Sequence, residues 1–264
     1  MQTLATAFGK SVDIGIPLPE VYPTLTKAGI KLRRSQVVMI AGQPGARKST
    51  LALNLVIGMG VPTLYFSADA DEWTTSLRAA AALSGTVVDE VERGTKDNGA
   101  EDYYTDVLSE LDHVWWCFDS DPTPESMAVE LDAFTELYGC FPECVVIDNL
   151  CDITLEGDNE WAAMRKVMKL VRFWARTTRA CVVVLHHCQE GDIEPFACPP
   201  RKAIQGKLTQ LQSLILTVAV DETCFKVACV KNRHGPADPS GETAWFLVID
   251  PPRMRISEPE RRAA

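Results

Sequence analysis

Residues 36–56 read QVVMIAGQPGARKSTLALNLV, and this stretch decides the fold. Its first six residues form an apolar, partly β-branched run that predicts a short buried strand. Residues 51–56 are mostly helix formers and predict a helix. The nine residues between them contain the pattern G-x-x-x-x-G-K-[ST], except at its second glycine. They are Gly42, Gln43, Pro44, Gly45, Ala46, Arg47, Lys48, Ser49 and Thr50.

A glycine-rich turn between a strand and a helix is typical of a phosphate-binding loop. Small residues let backbone N–H groups turn toward phosphate oxygens, and the helix directs its positive end at the anion. In this pattern Lys48 contacts the β- and γ-phosphates, and the Ser49 hydroxyl ligates Mg²⁺. The sequence therefore predicts that these nine residues bind ATP together with Mg²⁺.

Arg47 stands where the pattern has a glycine. A residue other than glycine in a left-handed conformation costs about 1–2 kcal/mol. We expect Arg47 either to add a phosphate contact or to slow turnover.

Short apolar runs alternate with helical patterns after this loop. This alternation predicts an α/β fold with a mostly parallel sheet flanked by helices, ending in antiparallel strands. Thr123 is a predicted N-cap with Pro124 in the first turn. The predicted strands are 36–41, 63–67, 113–118, 144–148, 181–187, 213–220, 224–231 and 243–249, and the predicted helices include 72–82, 124–138 and 159–178, with two short ones in 86–112.

Composition and charge narrow the class of protein. The chain has 264 residues, of which 46% are hydrophobic, and this excludes a disordered, collagen-like or coiled-coil protein. The sequence contains no apolar run of about 18 residues, so it predicts no membrane span. Nine cysteines without a C-x-x-C pair indicate reduced thiols and a cytoplasmic location, in the host cytoplasm if the protein is viral.

The net charge of −10 argues against a protein that coats nucleic acid with its whole surface. However, residues 1–65 carry +5, residues 66–160 carry −21 and residues 161–264 carry +6. An acidic exterior around a local basic channel fits this distribution.

Two carboxylates follow predicted strands. Asp148 ends the strand 144–148, where it is placed to hold Mg²⁺ through water. Asp69 follows the strand 63–67 and is a candidate general base for an attacking water. The neighbouring carboxylates Asp71 and Glu72 are better explained by a structural role, since acidic residues at a helix N-terminus complement the helix dipole.

Polar residues also end two later strands. His186 and His187 end the strand 181–187, where His187 could sense a γ-phosphate; a zinc site of these histidines with Cys188 and Cys198 is the less favoured alternative. Lys231 and Arg233 lie two positions apart on a strand, so they point the same way. They could clamp a phosphate of their own chain or of a neighbour.

In order and spacing, these features resemble the RecA-type ATPase core of DnaB-like hexameric replicative helicases. The run Val-Leu-His-His also resembles plasmid replication helicases of the RepA type. The resemblance covers about residues 22–250. It implies that Asp69 replaces a glutamate that activates water and that His187 replaces a glutamine that senses the γ-phosphate. It also implies that Lys231 and Arg233 act as fingers on the neighbouring subunit's nucleotide, which requires a homo-oligomer such as a hexameric ring.

The same resemblance implies that the loop following the fifth strand lines a channel for DNA. This assigns phosphate contacts to Arg201, Lys202 and Lys207 by location. It also sets the domains: residues 1–21 are an arm or linker, residues 22–256 a RecA-like ATPase domain, and residues 257–264 a disordered tail. This organisation is that of a stand-alone ATPase core, of a kind that phages and plasmids often encode.

The leading hypothesis is an ATP-driven DNA-binding motor, helicase-like or recombinase-like, in replication, recombination or repair, which binds single-stranded or branched DNA. A metal-dependent, structure-specific DNA nuclease is an alternative, because paired carboxylates can hold two metal ions. Its candidate residues are Asp69, Asp71, Glu72, Asp148 and Asp152. A weakly hydrolysing ATP switch that assists replication is a third alternative, suggested by Arg47 and by the short side chain of Asp69.

Overall fold

A nine-stranded sheet forms the centre of the molecule in the computed structural model. The structure describes residues 15–97, 99–155, 160–189, 194, 196–222 and 224–260. The strand order is β3-β2-β4-β5-β1-β6-β7-β8-β9. The strands are β1 Val37–Gly42, β2 Thr63–Ser67, β3 Val114–Cys117, β4 Cys144–Asp148, β5 Cys181–His187, β6 Leu214–Asp221, β7 Cys224–Asn232, β8 Ala244–Asp250 and β9 Arg255–Ser257.

The first six strands in this order run parallel, and β7, β8 and β9 complete the sheet with antiparallel pairs. The predicted α/β class, with antiparallel strands at the C-terminal side, is therefore confirmed. Strand β9 is an addition to the prediction, because three residues in a Pro- and Arg-rich stretch carry no readable alternation.

Seven α-helices are described. They are α1 Pro23–Lys27, α2 Lys48–Met59, α3 Glu72–Ser84, α4 Val88–Asp97, α5 Glu101–Leu108, α6 Pro124–Tyr138 and α7 Glu160–Thr177. Thr123 caps α6 as predicted, since its side chain accepts a hydrogen bond from the backbone N–H of Ser126 and Pro124 follows in the first turn. Among the described residues, no helix has both the length and the apolar character that crossing a membrane requires.

The helices cover both faces of the sheet, as the crossovers between parallel strands demand. On one face, Leu51 and Val56 of α2 and Ala79 of α3 pack against Val38 and Val146. On the other face, Phe134 of α6 and Met168 of α7 belong to a second core with the alternate strand residues, such as Met39 and Ile147. Buried strands sandwiched in this way are rigid supports for the loops at their ends.

Part of the predicted N-terminal arm lies against the domain. Leu18 is buried, and its backbone N–H donates to the Leu32 carbonyl at 2.8 Å. Residues 1–14 and 261–264 lie outside the described residues, so the predicted boundaries of the arm and the tail stay predictions.

Candidate functional site

Four adjacent parallel strands, β2, β4, β5 and β1, bring their carboxyl ends to one edge of the sheet. Ser67 at the end of β2 pairs with Asp148 at the end of β4, and Gly42 at the end of β1 pairs with His187 at the end of β5. Ligand sites of open α/β sheets lie at this edge. The candidate site is therefore assembled from residues that are up to 145 positions apart in the chain (Gly42 to His187).

The phosphate loop connects β1 to α2 as the sequence predicts. A Cβ atom on Gly42 would lie 3.0 Å from the Ala46 Cβ and 3.1 Å from the Val218 carbonyl oxygen, so glycine is favoured at this close approach. Gly45 has a φ of +76°, which favours glycine. The Ala46 N–H donates to the Gln43 carbonyl at 3.1 Å and closes the turn.

Arg47 adopts a left-handed conformation, with φ 58° and ψ 35°, immediately before α2. Its exposed side chain makes no capping hydrogen bond, although its carbonyl accepts the first helical bond, from the Leu51 N–H at 3.1 Å. The conformation is therefore the one that the missing glycine would adopt. The N-terminal N–H groups of the twelve-residue α2 are left to face an anion.

Lys48 is the first residue of α2 and is only 8% exposed. Its Nζ donates to the Gly42 and Gln43 carbonyls at 3.5 and 3.3 Å, which holds the ammonium across the loop. Burial lowers the pKa of Lys48, and the Asp148 charge acts in the opposite direction. Both hydrogen bonds are long, so they hold the ammonium weakly.

His187 lies beside this ammonium, with its Nδ1 at 3.4 Å from the Lys48 Nζ. Burial and the Lys48 charge both lower the pKa of His187, so the ring is neutral at neutral pH. An ammonium group only donates, so Nδ1 is the acceptor and the ring proton resides on Nε2. The structure thus places the predicted sensor against Lys48, the residue predicted to bind phosphate.

Asp148 is the buried carboxylate of the site, at 7% exposure. Its Oδ2 accepts a hydrogen bond from the Tyr65 hydroxyl at 3.1 Å, and the Ser49 side chain is a second hydrogen-bonding partner. Burial raises the pKa of Asp148 to about 6 in spite of these bonds. A hydroxyl and a carboxylate in contact supply the hard oxygen donors that Mg²⁺ prefers, so this pair fits the predicted metal.

Asp69 lies on the segment that follows β2, and this segment is tied to β4 because the Ala68 N–H donates to the Asp148 carbonyl at 2.9 Å. Its side chain is exposed, and its charge acts on Lys48, Asp148 and His187. Asp71 has the structural role: its carboxylate caps α3 by accepting from the Thr74 N–H at 2.6 Å.

Tyr65 is a neighbour of the site that the sequence analysis does not single out, and His186 enters that analysis only through the zinc alternative. His186 is fully buried, with Nε2 at 3.1 Å from the Gln205 carbonyl and Nδ1 at 3.4 Å from the Cys151 Sγ. Burial lowers the pKa of His186 to about 4. A signal for Tyr65 exists in the sequence, since its hydroxyl interrupts an otherwise apolar part of a strand next to the aspartate-bearing one.

Within the described parts of the chain, no group of three or more His, Cys, Asp or Glu side chains is placed to hold a metal ion. The zinc alternative at His186, His187, Cys188 and Cys198 gains no support from the described residues, and neither does the nuclease alternative.

Lys231 and Arg233 lie at the opposite edge of the sheet. Lys231 pairs with Ile215, which pairs with Met39 near the start of β1. The Arg233 N–H donates to the Ser213 carbonyl, level with Val37. The phosphate loop begins at Gly42, which is five residues beyond Val37 and therefore about 16 Å from it along the strand. This pair therefore does not reach the phosphate loop of its own chain.

The side chains of Lys231 and Arg233 both contact the backbone of residues 209–210. The Lys231 Nζ donates to the Thr209 and Gln210 carbonyls at 2.6 and 3.1 Å, and the Arg233 guanidinium donates to the Gln210 carbonyl at 3.1 Å. Burial lowers the pKa of Lys231 to about 8, and the cations Arg233, Arg201 and Arg172 add to this effect. The pair is thus part of a cationic cluster.

Arg201 and Lys202 are exposed on a short 3-10 turn, Arg201–Ala203. The Arg201 N–H donates to the Pro239 carbonyl at 3.0 Å, which attaches the turn to the connection between β7 and β8. Lys207 belongs to the next turn, and its side chain lies outside what the structure describes, as do residues 190–193 and 195 of the same loop.

The sheet order, the loop between β1 and α2, and the aspartate at the end of β4 define a P-loop ATPase fold of the RecA type. Residues 28–192 match the family described as AAA domain. The Gene 65 protein of Mycobacterium phage L5 is 33% identical over 256 residues, covering 92% of this chain and 94% of that protein. The Gene 65 protein of Mycobacterium phage D29 is 30% identical over 230 residues, covering 84% and 99%. The chain belongs to this AAA domain family.

Solved structures share the fold at low sequence identity. An ATPase domain superimposes with a TM-score of 0.81 at 15% identity, covering 97% of both chains. A DnaB-like replicative helicase, described with its interactions with primase, gives a TM-score of 0.80 at 15% identity, covering 97% of this chain and 66% of that one. The fold expected from the resemblance to DnaB-like helicases is thus confirmed.

Replacing Arg47 by glycine should stabilise the protein by up to about 1 kcal/mol, because glycine adopts the left-handed conformation without strain. Chemical denaturation of the metal-free protein measures this gain. Arg47→Ala is the matched control, since it removes the side chain and keeps the strain. A glycine variant that is less stable than the alanine variant contradicts the prediction.

Asp148→Asn should stabilise the metal-free protein at pH 7.5 by up to about 3 kcal/mol. The pKa of Asp148 is about 6 in the folded protein against 3.8 in its ordinary state, so ionisation costs stability as the pH rises between these values. The gain should shrink as the pH falls and disappear below about pH 3, where the carboxyl is protonated in both states. Denaturation across this pH range tests it, with Glu136→Gln on the exposed surface of α6 as control. A gain that persists below about pH 3 has another cause.

Proposed function

We propose that this protein is an ATP-driven, DNA-binding motor ATPase, helicase-like or recombinase-like, that acts in DNA replication or recombination. The observation that carries the proposal is the convergence of Lys48, the Ser49–Asp148 pair, His187 and Asp69 at one edge of the sheet. We assign the ATPase domain to residues 22–256.

In this proposal the loop residues 42–47 and the N-terminus of α2 surround the β-phosphate, and Lys48 exchanges its carbonyl partners for phosphate oxygens. Ser49 and Asp148 would hold Mg²⁺, which would supply positive charge against the phosphates. Asp69 accepts the proton of a water that attacks the γ-phosphorus, while the bond to the bridging oxygen breaks. Its exposure leaves room for that water.

His187 links this chemistry to the loop that follows β5. Its neutral ring accepts from Lys48 in the nucleotide-free protein. A γ-phosphate that recruits Lys48 removes this partner, so the ring is freed to bind the phosphate through its own N–H. This supports the sensor role proposed for His187.

Lys231 and Arg233 cannot serve their own phosphate loop from the other edge of the sheet, and this supports a role on the nucleotide of a neighbouring subunit. The active species is then a homo-oligomer with head-to-tail interfaces, such as a hexameric ring, in which each site is completed by the next subunit. Because its relatives are phage proteins, we propose that this ATPase acts in the cytoplasm of a host cell.

The exposed cations Arg201 and Lys202, with Lys207 by its position in the sequence, are proposed to contact the phosphates of DNA. They belong to the basic C-terminal third of the chain, while the acidic residues 66–160 keep the rest of the surface unattractive to nucleic acid. Such a protein binds DNA locally and with a strong dependence on salt.

A weakly hydrolysing ATP switch is the second candidate. The left-handed backbone of Arg47 favours it, because a residue other than glycine is strained in that conformation, and so does the short side chain of Asp69. Tight ATP binding with negligible turnover distinguishes the switch from the motor.

ATP hydrolysis should be stimulated by single-stranded DNA, and Lys48→Ala should reduce it at least a hundredfold, since the γ-phosphate loses its main cation. Phosphate release with and without single-stranded, duplex and forked DNA measures both effects. Lys169→Ala, which removes an exposed lysine of α7, is the control. Hydrolysis that is indifferent to DNA and to Lys48→Ala rules out the motor.

Arg233→Ala and Lys48→Ala should each inactivate the protein, whereas their co-assembly should restore up to about a quarter of the activity, because one interface in four then pairs an intact loop with an intact finger. Phosphate release from co-expressed variants measures this recovery. Co-expression of Lys48→Ala with the double variant Lys48→Ala/Arg233→Ala should restore nothing. Absence of recovery in the first mixture means that Arg233 does not act between subunits.

A further inference from the structure

The Tyr65 side chain connects the core of the sheet to the candidate metal site. Tyr65 lies in the middle of β2, is 3% exposed, and pairs in register with Val146, two residues before Asp148. Residues two positions apart on a strand point to the same face. Tyr65 and Asp148 therefore share the face of the sheet that α2 covers, and the hydroxyl reaches the Asp148 Oδ2 at 3.1 Å.

The Tyr65 ring is fixed from behind. It stacks on the Trp116 ring of β3 with centroids 4.5 Å apart and an angle of 29° between the planes, and Trp116 stacks in turn on Phe118 with centroids 6.2 Å apart. A ring held between its own strand and a neighbouring indole has little freedom to turn its hydroxyl elsewhere. The position of the hydroxyl is thus determined by the sheet, whatever the state of the phosphate loop.

The hydrogen bond determines how the Asp148 carboxylate is rotated. Asp148 is only 7% exposed, so its orientation depends mainly on the protein groups that touch it. A carboxylate oxygen accepts in this contact, so the Tyr65 hydroxyl is the donor. With Oδ2 committed to Tyr65, rotation about the Cβ–Cγ bond is restricted and the carboxylate keeps one orientation toward Ser49.

We propose that Tyr65 is a positioning residue for the metal site: its hydroxyl holds the Asp148 carboxylate in the orientation in which that carboxylate binds Mg²⁺ together with Ser49. The inference rests on the proposed function, because it needs a Mg²⁺–nucleotide complex at the phosphate loop. Partners that orient the ligands of a metal contribute to its affinity although they never touch it.

Tyr65→Phe tests this role with the loss of one oxygen atom. The full-length protein is titrated with a fluorescent ADP analogue at a series of Mg²⁺ concentrations and in EDTA. The Mg²⁺ concentration that gives half of the metal-dependent gain in affinity should rise about tenfold in Tyr65→Phe. Affinity in EDTA should stay as in the wild type, because the loop and Lys48 are unchanged.

Tyr22→Phe is the matched control. Tyr22 is also buried, at 5% exposure, and its hydroxyl donates to the Ile256 carbonyl at 3.3 Å, away from the site. Its Mg²⁺ dependence should equal that of the wild type. Thermal unfolding of all three proteins shows that each is folded under the conditions of the titration.

Three results overturn the inference. Tyr65→Phe with an unchanged Mg²⁺ requirement shows that the hydroxyl does not position Asp148. An equal loss of affinity in EDTA and in Mg²⁺, or the same shift in Tyr22→Phe, shows that the effect is one of packing. A wild type whose nucleotide affinity ignores Mg²⁺ refutes the proposed metal site itself, and this outcome is recognised before any variant is compared.

Discussion

The candidate site depends on one buried pair of opposite charges, Lys48 and Asp148, at the carboxyl ends of the parallel strands. Lys48 and Asp148 are 8% and 7% exposed. Burial lowers the pKa of Lys48 and raises the pKa of Asp148, so it favours the neutral form of each. Each charge partly offsets the cost of burying the other, and Ser49 and Tyr65 supply the hydrogen bonds. Neighbouring polar groups are arranged around this pair: His187 accepts from Lys48, and the segment that carries Asp69 is attached to the backbone of Asp148.

The direction of the strands divides the functional residues between two edges. Because β6 runs parallel to β1 and β7 returns antiparallel, the end of β7 is carried to the edge where β1 begins. The same topology that creates the phosphate loop therefore places Lys231 and Arg233 beyond its reach. A single chain presents a loop on one side and a cationic cluster on the other, which is the arrangement that head-to-tail assembly requires.

The sequence predicts features that are local in the chain. The strand–loop–helix at 36–56, the capped helix that follows Thr123 and the aspartates that follow strands are all short patterns, and the structure has them where they are predicted. The contacts of Tyr65 with Asp148 and of His186 with Gln205 depend on which strands become neighbours. No local pattern contains that order, and β9 is too short to show a period.

The strain at Arg47 remains local. Its left-handed backbone starts α2, its side chain is exposed, and Lys48 still reaches the carbonyls of Gly42 and Gln43. An arginine in place of glycine therefore costs folding energy without displacing the phosphate-binding lysine. The proposed switch would then depend more on the other departure, Asp69, whose side chain is one methylene shorter than glutamate. In the proposed ATPase, the loop would govern how nucleotide is held, and the reach of Asp69 would govern how fast it is cleaved.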